Sequence, residues 1–515
     1  MRVTSDPAAG RYSDARCAAT HYRGYEVILG NGRDYRDAPF VGSRCCGYHG
    51  GQHSIAAVQA VEMALGLEPP PMAIAIRNMG ISAETIHAEA AHLVLLVGPD
   101  FNEQTMRANW PDLWAAAEKA PAPQADIHGY PRIGDIMRTF NPLTGRLYKD
   151  AFGIARIPLQ MYALINGKYP HPETVVPGGL ATSVSATTVS KFHDYVVRLL
   201  SLVDPAKQVV TMVDDLLNFC VEKVPQLAEV GATPANFIDS GQWDSHEGYD
   251  PTWEGLTERG NKRWGAPGVI LDGRLVTTDL KEIADGITET AEHSFYDGPS
   301  TPTRPFDKTV RPRPGTMSWD GRYSWANTVR WNGRMVETGP GARLATTAMR
   351  GNMVENPFIA AEDGTLYLNL PEGGLPQTVL EWRLPTVWNA IERNRARLYG
   401  IVFAALVAAN EALGALQLQK LGEVETSVDF RHAKLRRQAR GVGFAGDGML
   451  AHWMETHRKF ISNYQVVAPS TINCGPGGPA EEAVNGTPVL TENAAGLEAE
   501  IALRSFDPCS NCATH

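Results

Sequence analysis

Apolar positions recur with helical spacing near both ends of the chain and with strand-like spacing in its middle. Over residues 52–67, Ile55, Val58, Val61, Met63 and Leu65 lay a broad apolar face along a helix. Pro69, Pro70 and Pro71 end it. Residues 82–97 predict a second helix, which carries His87 and His92, and further helices follow over 184–202 and 209–223. Between 260 and 380 short runs at 268–271, 274–278 and 365–370 read as strands separated by Gly and Pro, and 297–315 reads as surface loop. A pair of helices is expected over 384–421. Its most apolar run, 398–409, is too short to span a bilayer and reads as buried. The pattern therefore predicts a mainly α fold with small β regions (α+β).

Composition narrows the function classes. A chain of 515 residues with 43% hydrophobic and 20% charged residues supports a sizeable core. A net charge of -10 argues against nucleic acid as a partner. Seven cysteines are too few, and odd in number, for a disulfide framework. Cys17, Cys220 and Cys474 are scattered and read as small buried hydrophobes. The start of the chain shows no apolar signal segment, so the expected location is the cytoplasm, with export alongside a partner subunit as the alternative.

The other four cysteines lie near the two ends of the chain. Cys509 and Cys512 are three apart, close to the terminal His515, and Cys46 and His49 repeat that spacing in Arg44-Cys45-Cys46-Gly47-Tyr48-His49. Short loops of this kind bring two donors to one metal, so Cys46, His49, Cys509 and Cys512 form a candidate four-ligand set. A structural zinc site and a redox Cys-x-x-Cys are the plainer readings. Donors at opposite ends favour one interwoven body over residues 1–515 rather than separate domains. His53 is placed to hydrogen-bond a coordinated thiolate, or is an ordinary helix histidine. The Gly441-Val442-Gly443-Phe444-Ala445-Gly446 match to a dinucleotide fingerprint reads as a flexible loop, because no apolar strand leads into it. The basic stretch 431–440 reads as a solvated face.

These clusters resemble the large subunit of nickel–iron hydrogenases. That family carries Arg-x-Cys-Gly-x-Cys with a histidine four residues on, where His53 stands, and a C-terminal Asp-Pro-Cys-x-x-Cys-x-x-His. Tyr22-Arg23-Gly24-Tyr25-Glu26, Ile76-Arg77-Asn78, His171-Pro172, Glu337-Thr338-Gly339-Pro340 and Asn463-Tyr464-Gln465-Val466-Val467 look like further landmarks in the right order. The resemblance implies a mostly helical body whose two ends meet at a buried active site. It also implies a hetero-oligomer with a small iron–sulfur subunit. The implied cofactors are an iron carrying carbon monoxide and cyanide, nickel, and a magnesium-type structural ion held by Glu26 and His515. Ser470 matches a residue beside a diatomic ligand, and Asp507 a residue over the metals. A chain ending at His515 looks like the family's processed form.

The departures bear on function. His49 stands at a cysteine that bridges the two metals in the family, and an imidazole nitrogen has one lone pair where a thiolate can bridge. That puts nickel in question and leaves Cys512 as the intact bridging position. Asp447 takes the place of an arginine over the open metal position, inverting a charge in a dry pocket. An aspartate present in many members aligns with Ala88. The neighbouring Glu89 is turned about 100° around the helix and is not expected to replace it. The proton-relay glutamate of the family would precede residue 1. The expected function is a diverged hydrogenase-type oxidoreductase subunit that exchanges electrons with iron–sulfur clusters and acts on a small molecule other than H2. A genuine H2 enzyme with a modified site, and a non-catalytic metal-binding scaffold, are the alternatives.

Overall fold

Two helices joined by a proline-rich corner frame the site: α1 (Gly50–Leu65) and α2 (Pro71–Ala91). The structure, a computed structural model, describes residues 1–6, 8–201, 203–298, 301–307, 311–351, 354–372, 375–429, 437–491 and 496–514. The helix predicted from residue 82 starts at Pro71, because the last proline of the corner occupies the first turn, where its missing N–H costs nothing. It runs on as a π-helical segment, His92–Val97. Helix α3 (Arg146–Asn166) escaped sequence reading, since Pro158 lies inside it and interrupts the expected pattern. Of two further helices, Ala186–Ser201 falls where the spacing placed it, and Val203–Lys223 starts ahead of the expected residue 209.

Helix α4 (Pro340–Arg350) precedes a three-stranded antiparallel sheet of Ile359–Glu362, Thr365–Glu372 and Leu375–Arg383. The expected helical pair is one helix, α5 (Ala390–Leu421), because Gly400 and Gly414 sit within it without breaking it. By length and composition α5 is apolar enough to cross a membrane. Here its Ala396, Phe403, Leu406, Val407 and Ala408 are buried in the core, which also takes in Ile76, Met79 and Ala83 of α2.

A second antiparallel sheet has the order β1 (Gln438–Phe444), β2 (Ala451–His457) and β3 (Phe460–Val467). It corrects the loop expected at the Gly-rich motif. Gly441 and Gly443 lie on β1, and a Cβ on either would collide with the Ala60 or Ala56 carbonyl of α1. The glycines let a strand backbone press against a helix. Residues 431–436 of the basic stretch lie outside the described residues. Short helices α6 (Pro469–Cys474), α7 (Leu497–Arg504) and α8 (Ser510–Ala513) bring the end of the chain back to the start of α1. Cys17 and Cys220 are buried and Cys474 is half-buried.

Candidate metal centre

The loop before α1 folds around a sulfur. The backbone N–H groups of Tyr48 and His49 donate to Cys46 Sγ at 3.3 and 3.0 Å. At the other end of the chain the Cys512 N–H donates to Cys509 Sγ at 3.3 Å, and the Cys509 N–H donates to Ser470 Oγ at 3.1 Å. Arg23 ties the two loops together. It donates to the carbonyls of Arg44 (2.8 Å) and Cys45 (2.9 Å) on one side and of Asn511 (3.3 Å) on the other.

As a result Cys46, Cys509 and Cys512 converge, their sulfurs all within 4.8 Å of one another. Cys46 and Cys512 are buried and Cys509 is half-buried. Cys509 and Cys512 are joined here as a disulfide; a metal between them requires both as thiolates. Cys45 is not in this group, and burial pushes its thiol well above the usual range.

His49 stands beside the sulfurs and faces two ways. Its Nδ1 lies 3.7 Å from Cys46 Sγ and its Nε2 lies 3.5 Å from Asp447 Oδ2. His49, Glu89 and Asp447 present ligand atoms that all lie within 4.8 Å of one another. Sequence reasoning missed Glu89: the turn around the helix leaves it lining the cavity together with His49 and Asp447. Burial alone disfavours a charged imidazole, but Cys46, Asp447 and Glu84 outweigh it and hold His49 well above its usual pKa. Glu84, on α2, accepts the Gly51 and Gln52 N–H groups at the start of α1 (2.8 and 2.9 Å), and burial pushes its pKa up to about 8.

Asp447 sits in the turn between β1 and β2 and is held on three sides. Gln52 Nε2 (3.0 Å), Thr85 Oγ1 (3.1 Å) and Arg343 (3.0 Å) donate to its carboxylate. Arg343, on α4, also donates to the Gly446 carbonyl and lies 3.5 Å from Asp239. The charge inversion expected at Asp447 is thus offset by a guanidinium from another helix. Burial opposes ionisation of Asp447, yet Arg343 and then His49 hold its pKa below the usual carboxylate value. Glu89 is bonded to Arg397 of α5, but burial dominates and pushes its pKa up to about 7. The sequence signal that could have found Arg397 is its place just before the apolar run 398–409; Arg343 carried none.

Three of the remaining predicted residues line this cavity of about 60 Å³. His53 lines it, with Nδ1 2.9 Å from Nε2 of His452, whose Nδ1 is 2.7 Å from Tyr464 Oη. Ser470 and Asp507 line it too. Asp507 Oδ1 lies 3.0 Å from His92 Nδ1 and its Oδ2 3.8 Å from Arg397. Burial works against its charge, but His92 and Arg397 hold its pKa well below the usual carboxylate range. Glu26 accepts the Val466 N–H at 2.8 Å. His515 lies outside the described residues.

Three converging thiolates suit nickel, iron or zinc. The residues present fit one sulfur-held metal. The fourth group, His49, directs its two nitrogens to different neighbours.

The chain matches the family model described as nickel-dependent hydrogenase over residues 23–123 and 140–515. It is 27% identical to the hydrogenase-2 large chain of Escherichia coli (strain K12), covering 100% of this chain and 94% of that one. It is 28% identical to the quinone-reactive Ni/Fe-hydrogenase large chain of Wolinella succinogenes, covering 98% and 91%. Its structure superposes on the actinobacterial-type NiFe-hydrogenase from Ralstonia eutropha H16 with a TM-score of 0.93 at 33% identity, covering 100% and 97%.

Proposed function

The chain belongs to the nickel-dependent hydrogenase family and is an oxidoreductase of the hydrogenase type, and from that premise we propose that it is a diverged large subunit acting on a small molecule other than H2. Cys46, Cys509 and Cys512 hold the metal as thiolates, with His49 as the fourth group. Nickel and iron are the metals the family supplies, and when bound they provide reversible electron exchange. Carbon monoxide and cyanide on the iron, and a structural ion at Glu26 and His515, belong to the same proposal. The partner is a small iron–sulfur subunit that relays the electrons, in a higher hetero-oligomer. Export with that partner, rather than a cytoplasmic location, belongs to the same proposal.

The observation that carries the reading is the pairing of His49 with Asp447 beside the three sulfurs. The cavity admits a molecule of only a few heavy atoms. Its lining is ionic: His49 faces Cys46 and Asp447, and Arg397 and Arg343 orient the carboxylates. Such a lining hydrogen-bonds a polar substrate.

A second reading, a genuine H2 enzyme with a modified site, is favoured by the full-length superposition on the Ralstonia enzyme. Metal analysis, infrared spectroscopy and H2/D2O exchange on the purified complex separate the two. Diatomic-ligand bands without H2/D2O exchange support the first reading. Nickel, those bands and exchange together support the second. Zinc alone, with no bands, sinks both.

A further inference from the structure

Three features outside the thiolate group meet on the other side of His49. The first is the donor set. A His49 ring nitrogen, a Glu89 oxygen and an Asp447 oxygen lie within 4.8 Å of one another, a separation one ion can span. The second is an orphan. His49 Nε2 is buried, makes no hydrogen bond, and lies 3.5 Å from Asp447 Oδ2, longer than a hydrogen bond and suited to two ligands of a common ion. The third is charge. Around this point stand the carboxylates of Glu89, Asp447, Asp507 and Asp239 and the guanidiniums of Arg343 and Arg397. With His49 bound as a neutral imidazole, a divalent cation placed among these carboxylates is paired rather than isolated.

The surroundings also resemble a ligand set held from outside. Gln52, Thr85 and Arg343 fix the Asp447 carboxylate, and Arg397 fixes Glu89 through Oε2. We propose that His49, Glu89 and Asp447 form a second metal site, for a divalent first-row cation such as Mn²⁺, Fe²⁺, Co²⁺ or Zn²⁺, separate from the sulfurs of Cys46, Cys509 and Cys512. One nitrogen and two oxygens suit harder ions than three thiolates do. The site shares its cavity and His49 with the sulfur centre, taking the ring nitrogen turned away from Cys46, and its carboxylates are its own, so Glu89 and Asp447 test this assignment and Cys46 the other.

The probe is Co²⁺, titrated into the purified full chain after reduction and chelation. Sulfur-bound cobalt shows intense near-ultraviolet charge transfer, and nitrogen- and oxygen-bound cobalt does not. Two classes of bound cobalt are expected. Glu89→Gln and Asp447→Asn should each weaken the class without charge transfer at least roughly tenfold and leave the charge-transfer band intact. Cys46→Ser should do the reverse. Glu89→Gln keeps an acceptor for Arg397 and guards against misfolding of Asp447→Asn, with circular dichroism as the control. A single class of cobalt in the native chain overturns the proposal, as does an unchanged second class in Glu89→Gln. So does His49-dependent alkylation of Cys46 that cobalt fails to block, which identifies a thiol–imidazole pair instead. Loss of the charge-transfer band alone overturns the thiolate reading and leaves this one standing.

Discussion

His49 Nε2 faces Asp447 Oδ2 across 3.5 Å, although the two residues come from distant parts of the chain. By the sequence resemblance each is expected to stand where the family has another residue, His49 at a bridging cysteine and Asp447 at an arginine. A thiolate exchanged for an imidazole removes a negative charge from the centre, and an arginine exchanged for an aspartate replaces a positive charge with a negative one. Arg343 then restores a positive group from α4. On that reading the two form a connected unit, and single reversions should expose the connection.

Changing His49 to Cys adds a fourth sulfur but leaves Asp447 in place. Nickel retention is expected to rise at least about tenfold, because a softer donor set suits it. H2/D2O exchange is expected to stay undetectable until Asp447 is also changed. Exchange in the single variant, followed by mass spectrometry, would show that the imidazole alone was the block.

Arg23 is the clamp between the two cysteine loops. Arg23→Met keeps an unbranched side chain but removes hydrogen bonds to the Arg44, Cys45 and Asn511 carbonyls. Metal affinity should fall by about 10–100-fold with little change in the helical circular dichroism. Equal metal retention by the variant and the native chain in a chelator competition would refute the clamp.

Gly443→Ala tests the contact of β1 with α1. Its Cβ would run into the Ala56 carbonyl, which belongs to helix backbone and has no rotamer to escape by. A loss of about 1–3 kcal/mol in denaturant unfolding is expected, together with reduced metal content, since α1 carries the Cys46 loop. Wild-type stability in this variant would mean that the strand is free to move off the helix.

Glu411 supplies a pH dependence away from the metal centre. Burial pushes its pKa up to about 7, although Trp264 and Asn78 both donate to its Oε1 (2.7 and 3.1 Å). The folded state therefore binds this proton more tightly than the unfolded chain, whose carboxyl titrates near 4.5. Stability from this group is complete below that lower value and is lost as pH rises to about 7. Glu411→Gln keeps the acceptor oxygen and should flatten that part of the profile of Tm against pH. An unchanged slope between those two values would exclude Glu411 as its source.

The helices around the site were legible wherever one face repeated. The spacing of Ile55, Val58 and Val61 located α1 to within two residues. It failed at α2, where the corner prolines mask a helix start, and at α3, where an internal proline imitates a stop. The glycines of β1 were visible but were taken for a loop. What they accommodate is the backbone of α1, a neighbour that no local window contains.

The sequence by itself determined which donors the chain offers to a metal. Cysteine and histidine spacing places donors at the two ends, and side-chain type decides whether a metal is offered sulfur or nitrogen. Only the tertiary structure decided how those donors divide. Cys46, Cys509 and Cys512 converge, while His49 turns its second nitrogen to Asp447 and brings in Glu89. The reason is that a ligand's direction is set by what packs behind it. Here that support comes from Gln52, Thr85, Arg343 and Arg397, on helices brought together only by burial of the core.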